Sequence, residues 1–276
     1  KRLGVVVSFV VAFLIGLVAA ASWQDVLKFL SASPFAQTDP LFGKDIAFYV
    51  FSLPVYSLGL GIIRTLVLLS LIVCGTIYVL RGSLNFSSLL GKFNLDSLSK
   101  KLGGPAVKLI KHKSIDQKAR LHIGILLFLF LAAVAAGTYL SLYNLLTTQS
   151  GPVFGATFTD AHIMVPILKV SVFVYGLAAF LALFYGVNGK ISPLVGAVSL
   201  TILVGLVSGI IPAVFQKLVV APNELVKETP FIKNNIEATR KAYGLDRIEE
   251  REIAADRRSI TASDIAANNL TIKNVR

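Results

Sequence analysis

Cysteine, histidine and charged side chains are all scarce in this chain. Its 276 residues include one cysteine and three histidines, and only 15% are charged, against about 25% in soluble domains. The lone Cys74 excludes a disulfide framework and a zinc site built on cysteine pairs. The histidines are scattered, which makes a histidine-built metal site unfavourable, and they stand at His112, His122 and His162.

Catalytic signatures are absent as well. The sequence has no GxSxG, HExxH or Walker motif and no GxGxxG placed after a strand. Its long apolar runs contain no aspartate or glutamate, which argues against a proton relay through them, because such relays use carboxylates inside the membrane. We therefore predict no enzyme activity and no cofactor here. An enzyme would need its catalytic groups in an outer domain beyond this sequence.

Hydrophobic sequence, in contrast, is abundant. Hydrophobic residues make up 55% of the chain, and its mean hydropathy is +0.73. Five runs are each long enough for the roughly 20 residues that span a hydrocarbon core, and a spanning run must be helical to satisfy its backbone. The pattern predicts an all-α, polytopic membrane protein with a helix bundle over residues 1–214. Its spans are expected at about 4–21, 60–80, 123–145, 164–185 and 194–214.

Positive charge is distributed unevenly between these runs. Residues 81–120 carry nine Lys or Arg against two Asp, and short basic loops stay cytoplasmic. Strict alternation puts Lys1 and Lys190 on the same side and the nearly neutral loops on the other. We therefore predict a plasma-membrane protein with a cytoplasmic N-terminus and an extracytoplasmic tail. The net charge of +12 then reflects topology, and no nucleic-acid partner is expected.

Two alternatives remain open for the basic loop. Its apolar residues recur at roughly helical spacing, which is typical of helices lying on anionic lipid of the inner leaflet. A plain topology signal explains the charge equally well. The lysines predicted to contact inner-leaflet lipid are Lys100, Lys101, Lys108, Lys111 and Lys113.

The first outer loop contains a short apolar segment at residues 46–56. It is too short to span, so we expect it to lie in the interface or to be re-entrant. Asp45 can cap a helix there and Pro54 is expected to limit it.

A few charged residues are candidates for outer-face sites. Arg64 and Lys169 lie inside predicted spans and could bind an anion or a lipid headgroup, although snorkelling to the interface is the alternative. Asp39, Asp45 and Asp160 could bind Ca²⁺ or Mg²⁺. Asp39 before Pro40 also fits a turn, and Thr159-Asp160 fits a helix cap.

Composition changes after Val214. Residues 215–276 carry both charge signs and few large apolar side chains, which predicts the start of an incomplete, mixed α/β extracytoplasmic domain. Helix starts are expected at Pro222-Asn223-Glu224 and, with Thr229 as N-cap, at Thr229-Pro230. Gly244 is expected to end the second helix. A strand over 247–254 and a short helix over 261–268 are predicted beyond it.

Several phrases of the sequence occur together in one known family. They are TDPLFGKDIAFYVFSLP from Thr38, GATFTDAH from Gly155, PNEL from Pro222, NIEATRKAYGL from Asn235 and LTIKNVR from Leu270. Because it contains all of these phrases in order, the chain resembles the prokaryotic membrane proteins of uncharacterised protein family 0182. The resemblance implies seven spans and a large outer region, so that two spans precede Lys1 and much of an outer domain follows Arg276. It implies no reaction.

The function predicted from these features is a non-enzymatic membrane anchor or scaffold subunit that presents an outward-facing domain. It would have a protein partner or form a homo-oligomer. The alternative is a transporter or channel for a small or anionic solute or a lipid.

Overall fold

The computed structural model describes residues 2–80, 116–150, 153–248 and 262–267. Most of the predicted basic loop, with its five candidate lysines, lies outside these ranges. The chain divides into two compact units, residues 1–235 and 236–276.

Long helices dominate the first unit. Helix α1 (Arg2–Ala21) is followed by the short α2 (Trp23–Leu30). A π-helical turn at Phe48–Ser52 leads directly into α3 (Leu53–Leu80). The chain then forms α4 (Gln117–Asn144), a hairpin of two-residue strands β1 (Gln149–Ser150) and β2 (Val153–Phe154), a π-helical turn at Asp160–Met164, α5 (Val165–Asn188) and α6 (Ile191–Phe215).

Helical structure continues beyond α6. A π-helical turn (Gln216–Val220) and a 3₁₀ turn (Ala221–Asn223) connect it to α7 (Glu224–Ala242). In the second unit the described residues form the end of α7, a 3₁₀ turn at Leu245–Arg247 and α8 (Ala262–Ala267). The prediction of a short helix near 261–268 is confirmed, while most of the predicted strand at 247–254 lies outside the described residues.

Four helical stretches are long and apolar enough to cross a membrane. They are Phe48–Leu80, Gln117–Asn144, Asp160–Asn188 and Ile191–Ala242, and the bent pair α1–α2 brings the number to five if it counts as one span. The sequence prediction of a helical protein with several helices long and apolar enough to span a membrane is confirmed. Two of the ends that run past the predicted bounds carry a local capping signal: Asp116 caps the start of α4, and the left-handed Gly189 follows α5.

Proline positions account for two wrong predictions. Pro54 does not limit the segment 46–56, because it falls in the first turn of α3, where a missing N–H is tolerated. Whether that segment lies at the interface stays a prediction.

Thr229 is not an N-cap, since its hydroxyl donates to Leu225 O inside α7 and Pro230 lies within the same helix. The start near Glu224 and the left-handed Gly244, with φ of 65°, agree with the sequence.

Small side chains set the packing of α4, α5 and α6. The buried core consists of Leu131 with Ala178, Ala179, Ala182 and Ala197, which lets these backbones approach closely. The closest approach joins Gly124 of α4 to Gly186 of α5, where a Cβ added to Gly124 would lie 2.6 Å from Gly186 Cα. Because Gly124 lies near the start of α4 and Gly186 near the end of α5, these two helices run antiparallel.

Candidate functional site

The bundle has two polar ends. We call the end where α3 and α5 begin the outer end, following the topology predicted from charge, and the opposite end the inner end. Three clusters of polar or aromatic side chains lie at the outer end. Arg120 makes polar contacts at the inner end, and Arg64 and Lys169 lie between the two ends.

The first outer cluster organises the loop before α3. Asp39 accepts hydrogen bonds from the N–H groups of Leu41, Phe42 and Lys44 at 2.9, 2.6 and 2.7 Å, and from the Tyr49 hydroxyl at 2.8 Å. The predicted turn at this aspartate is confirmed. The carboxylate is occupied by protein donors.

Asp45 closes the same loop. Its carboxylate accepts from the N–H of Ala47 at 2.7 Å and from those of Phe35 and Ala36 at 3.2 and 3.0 Å. The bond from Ala47, assisted by the other two, lowers the pKa of Asp45 below its ordinary value of 3.8. The predicted helix cap at Asp45 is confirmed.

Aromatic rings support this loop from the side of α4. Tyr49, Leu53 and Tyr143 are buried together, and the ring centroids of Phe48 and Phe42 lie 5.1 and 5.2 Å from that of Tyr143. The hydroxyls of Tyr139 and Tyr143 are 2.9 Å apart. The cluster ties the start of α3 to the end of α4.

The second outer cluster caps the helix that leads into α5. Thr157 Oγ1 accepts from the N–H of Asp160 at 3.2 Å, and Asp160 Oδ2 accepts from the N–H and the hydroxyl of Thr157 at 2.9 and 2.8 Å. This reciprocal pair is a capping box. The predicted cap at Thr159-Asp160 is therefore displaced, with Thr157 as N-cap, while the Thr159 hydroxyl donates to Gln216 Oε1.

The third outer cluster joins the segment after α6 to that capped start. Glu228, only 7% exposed, accepts from the N–H of Phe158 with both carboxylate oxygens, at 3.2 and 3.0 Å. Asn235 Nδ2 donates to Phe154 O at 2.8 Å.

The side chain of Phe158 makes further contacts in this cluster. Lys227 Nζ lies 4.8 Å from the centre of the Phe158 ring, an attractive cation–π geometry. Phe215, Phe231 and the stacked His162 surround the same ring. We call this set the tail dock.

The inner end is held by an arginine. Arg120 of α4 donates from Nε to Gly186 O at 3.1 Å and from Nη2 to Val187 O at 3.2 Å. These carbonyls belong to the last turn of α5, so a positive charge caps the negative end of the helix. Gly189 follows with φ of 71°, and a Cβ there would collide with the guanidinium.

The predicted charged residues of the spans have no such partners. Arg64 and Lys169 are exposed, and neither makes a hydrogen bond or ion pair with another described residue. A Cβ on Gly137 would lie 3.9 Å from Arg64 Nη1, so the guanidinium lies over α4. Beside it is an open groove between α3 and α4, with a volume of about 420 Å³. It is lined by Val55, Tyr56, Gly59, Leu60, Ile63, Ala136, Tyr139 and Leu140.

Cation binding by Asp39, Asp45 and Asp160 stays a prediction. Each of the three carboxylates already accepts two or more hydrogen bonds from the protein. Within the described ranges, no three Asp, Glu, His or Cys side chains are grouped so that they could hold a metal ion.

Sequence reasoning missed the residues that hold the helix ends. Glu228 and Arg120 make their contacts with residues 70 and 66 positions away, and no local pattern encodes such a pairing. Gly124 and Gly186 carried a usable signal, since small residues inside apolar runs mark close helix approaches.

The model of the uncharacterised protein family UPF0182 matches residues 1–276, the whole chain. The chain belongs to the UPF0182 family. A UPF0182 protein of Pelobacter propionicus is 34% identical over all of this chain, one of Desulfitobacterium hafniense 35% over 99%, and one of Sulfurovum 34% over 96%. The chain covers 28%, 27% and 26% of those proteins, about a quarter of their length. No solved structure matches this UPF0182 chain.

Proposed function

We propose that this UPF0182 chain is the non-enzymatic membrane anchor of a larger cell-envelope protein. It would hold the start of an extracytoplasmic region in a fixed orientation, as a scaffold for a protein partner. The observation that carries the proposal is the tail dock, in which buried Glu228 caps the helix leading into α5.

The length of the last helical stretch supports this role. Ile191–Ala242 contains 52 residues, whereas about 20 are enough to cross the hydrocarbon core. The stretch therefore extends well beyond a bilayer. Gln216, Glu228 and Asn235 each contact the segment that leads into α5, so the emerging helix is bound to the bundle at three points.

The region that follows is part of the proposal. The chain covers about a quarter of its relatives, and the mixed composition after Val214 fits the start of an α/β domain outside the cell. The basic loop would bind anionic lipid of the inner leaflet through Lys100, Lys101, Lys108, Lys111 and Lys113.

Cysteine labelling in intact cells tests the topology. In a Cys74→Ser background, Asn234→Cys should react with a membrane-impermeant maleimide before lysis. Lys190→Cys, equally exposed but at the inner end, should react only after lysis. The reverse pattern, or labelling of both sites before lysis, would contradict the proposed orientation.

Partner capture tests the scaffold role. The full-length protein is cross-linked in native membranes, purified in mild detergent and analysed by mass spectrometry. A stoichiometric partner should accompany the wild type and be recovered less with Glu228→Ala, but not with the exposed Glu224→Ala on the same helix. A lone particle or a homo-oligomer without a partner would overturn this role.

The α3–α4 groove favours one second candidate, a pathway for a small or anionic solute or a lipid. Arg64, which has no ion-pair partner among the described residues, lies within a predicted span beside an apolar groove, and such residues mark ion and substrate pathways. Anion flux into proteoliposomes should then fall in Arg64→Ala, with Lys169→Ala testing the second cation. Equal flux in Arg64→Ala and the wild type would remove Arg64 from this pathway.

A further inference from the structure

Helix α2 has one apolar face that is largely exposed. Trp23, Leu27 and Leu30 are 57%, 51% and 73% exposed, and with Val26 they follow the i, i+3, i+4, i+7 spacing of a single helix face. Gln24, Asp25 and Lys28 occupy the opposite side, where Lys28 Nζ lies 3.6 Å from Asp25 Oδ1. The helix is amphipathic, unlike the uniformly apolar α1 before it.

The direction of α2 also differs from that of α1. The two helices are bent by 53° at Ser22, whose hydroxyl donates to Val18 O at 3.2 Å. A straight continuation of α1 would carry Asp25 and Lys28 along the same axis as the apolar span. The bend turns them away from that axis.

One contact fixes the rotation of α2 about its own axis. The Phe29 ring lies edge-on to Tyr56 near the start of α3, with centroids 5.7 Å apart. Phe29 is adjacent to neither Trp23 nor Leu27 on the helical wheel, so this contact leaves the apolar face uncovered.

We propose that α2 lies in the membrane–water interface, with Trp23, Leu27 and Leu30 inserted among the lipid headgroups and upper acyl chains. The proposal rests on the membrane anchoring proposed above. Lipid is the occupant that fits, because the face continues directly from an apolar helix, carries an indole ring and opposes a charged side. The helix would thereby fix the depth at which α3 begins.

The chain contains a native probe for this test, since Trp23 is its only tryptophan. The 276-residue chain is reconstituted in phosphatidylcholine vesicles whose acyl chains carry bromine near the headgroup, at mid-chain or near the chain end. Shallow bromines should quench Trp23 fluorescence most strongly. Strongest quenching by the deepest bromines would overturn the proposal and make α2 part of a span. Quenching by aqueous iodide without any lipid quenching would overturn it too.

A matched pair of variants tests the apolar face itself. Leu27→Glu should lower shallow quenching about twofold and shift the emission to the red, because it weakens insertion of the face. Gln24→Glu adds the same charge on the polar side and should change neither signal. Equal effects of the two variants would contradict the proposed orientation of the helix. Flotation of the vesicles separates the two proposals. If the chain does not float with the vesicles, the proposed membrane anchoring is wrong. If the chain floats but lipid bromines do not quench Trp23, only the interfacial position of α2 is wrong.

Discussion

The helical segment from Phe158 to Asn188 is held at its two ends by opposite charges from different sources. At the outer end the carboxylate of Glu228 accepts from the N–H of Phe158, and at the inner end the guanidinium of Arg120 donates to two carbonyls of the last turn. Both charges complement the helix dipole.

The surroundings of the two charges differ. Arg120 belongs to the adjacent helix, four residues before the glycine contact with Gly186, so its position follows from packing within the bundle. Glu228 lies beyond α6, in α7, and is buried where it meets the N–H of Phe158. The inner end is therefore set by the bundle alone, whereas the outer end is completed only when the tail docks.

The largest expected effect comes from adding a methyl group at the glycine contact between α4 and α5. Gly124→Ala should lower the free energy of unfolding by about 3 kcal/mol, since its Cβ would meet the backbone of Gly186 at 2.6 Å. Thermal unfolding in detergent measures this. Gly176→Ala is the control, because its Cβ meets nothing within 4 Å. Equal stability of the two variants would refute the idea that backbone contact sets the inner end.

Neutralising each cap compares the two ends directly. Arg120→Gln and Glu228→Gln should each cost about 2 kcal/mol, the typical loss for a hydrogen bond to a charged group. Arg120→Gln should lower the unfolding temperature of the whole bundle. Glu228→Gln should mainly increase hydrogen exchange at residues 216–235.

The controls for this pair are Lys118→Gln and Glu224→Gln, both exposed. If Glu228→Gln destabilised α4 as much as Arg120→Gln does, the outer end would not depend on the tail in the way we infer.

A smaller effect is expected from the outer loop. Tyr49→Phe removes the hydroxyl that donates to Asp39 at 2.8 Å and should cost about 1 kcal/mol. Tyr56→Phe is the matched control, since its exposed hydroxyl has no hydrogen-bond partner among the described residues. Chemical denaturation in detergent followed by circular dichroism should separate the two variants, and overlapping curves would argue against a role for this bond.

The smallest effect concerns pH. The N–H of Ala47 is the largest cause that lowers the pKa of Asp45 below 3.8, so the ionised carboxylate stabilises the loop above that value. This contribution is lost as pH falls through the lowered pKa. Pepsin cleavage within residues 31–45 should therefore accelerate only at the acidic end of a series from about pH 5 to about pH 2.

Two variants make that result specific. Asp45→Asn should be cleaved readily across the whole series, whereas Asp25→Asn should behave as the wild type does. A wild-type loop that is cleaved equally at every pH would mean that Asp45 does not hold it.

The sequence predicted those parts of the fold that depend on local composition. The apolar runs predicted the long apolar helices. Asp45, Asp39 and Gly244 predicted a cap, a turn and a helix end, because each acts on backbone within a few residues. Pro54 misled because it falls in the first turn of α3, where a missing N–H is tolerated, and Thr229-Pro230 misled because both residues lie inside α7.

The tail dock could not be predicted in this way. Glu228 resembles any charged residue on an exposed helix until it is placed next to Phe158. Its burial accompanies the contact with Phe158, 70 residues away in the chain, and no local pattern encodes that contact. Arg64 was found from the sequence because a charge within an apolar run is conspicuous by itself.

The separation between Glu228 and Phe158 also has a consequence for how the protein is made. Glu228 follows Phe158 by 70 residues in the chain. A ribosome that adds about 5 to 20 residues per second therefore synthesises Glu228 roughly 4 to 14 seconds after Phe158. During that interval the N-terminus of the helix leading into α5 is capped by Thr157 and Asp160, but Glu228 is not yet available to accept from Phe158. The outer end of the bundle is thus completed only after α6 and the first residues of α7 have been synthesised.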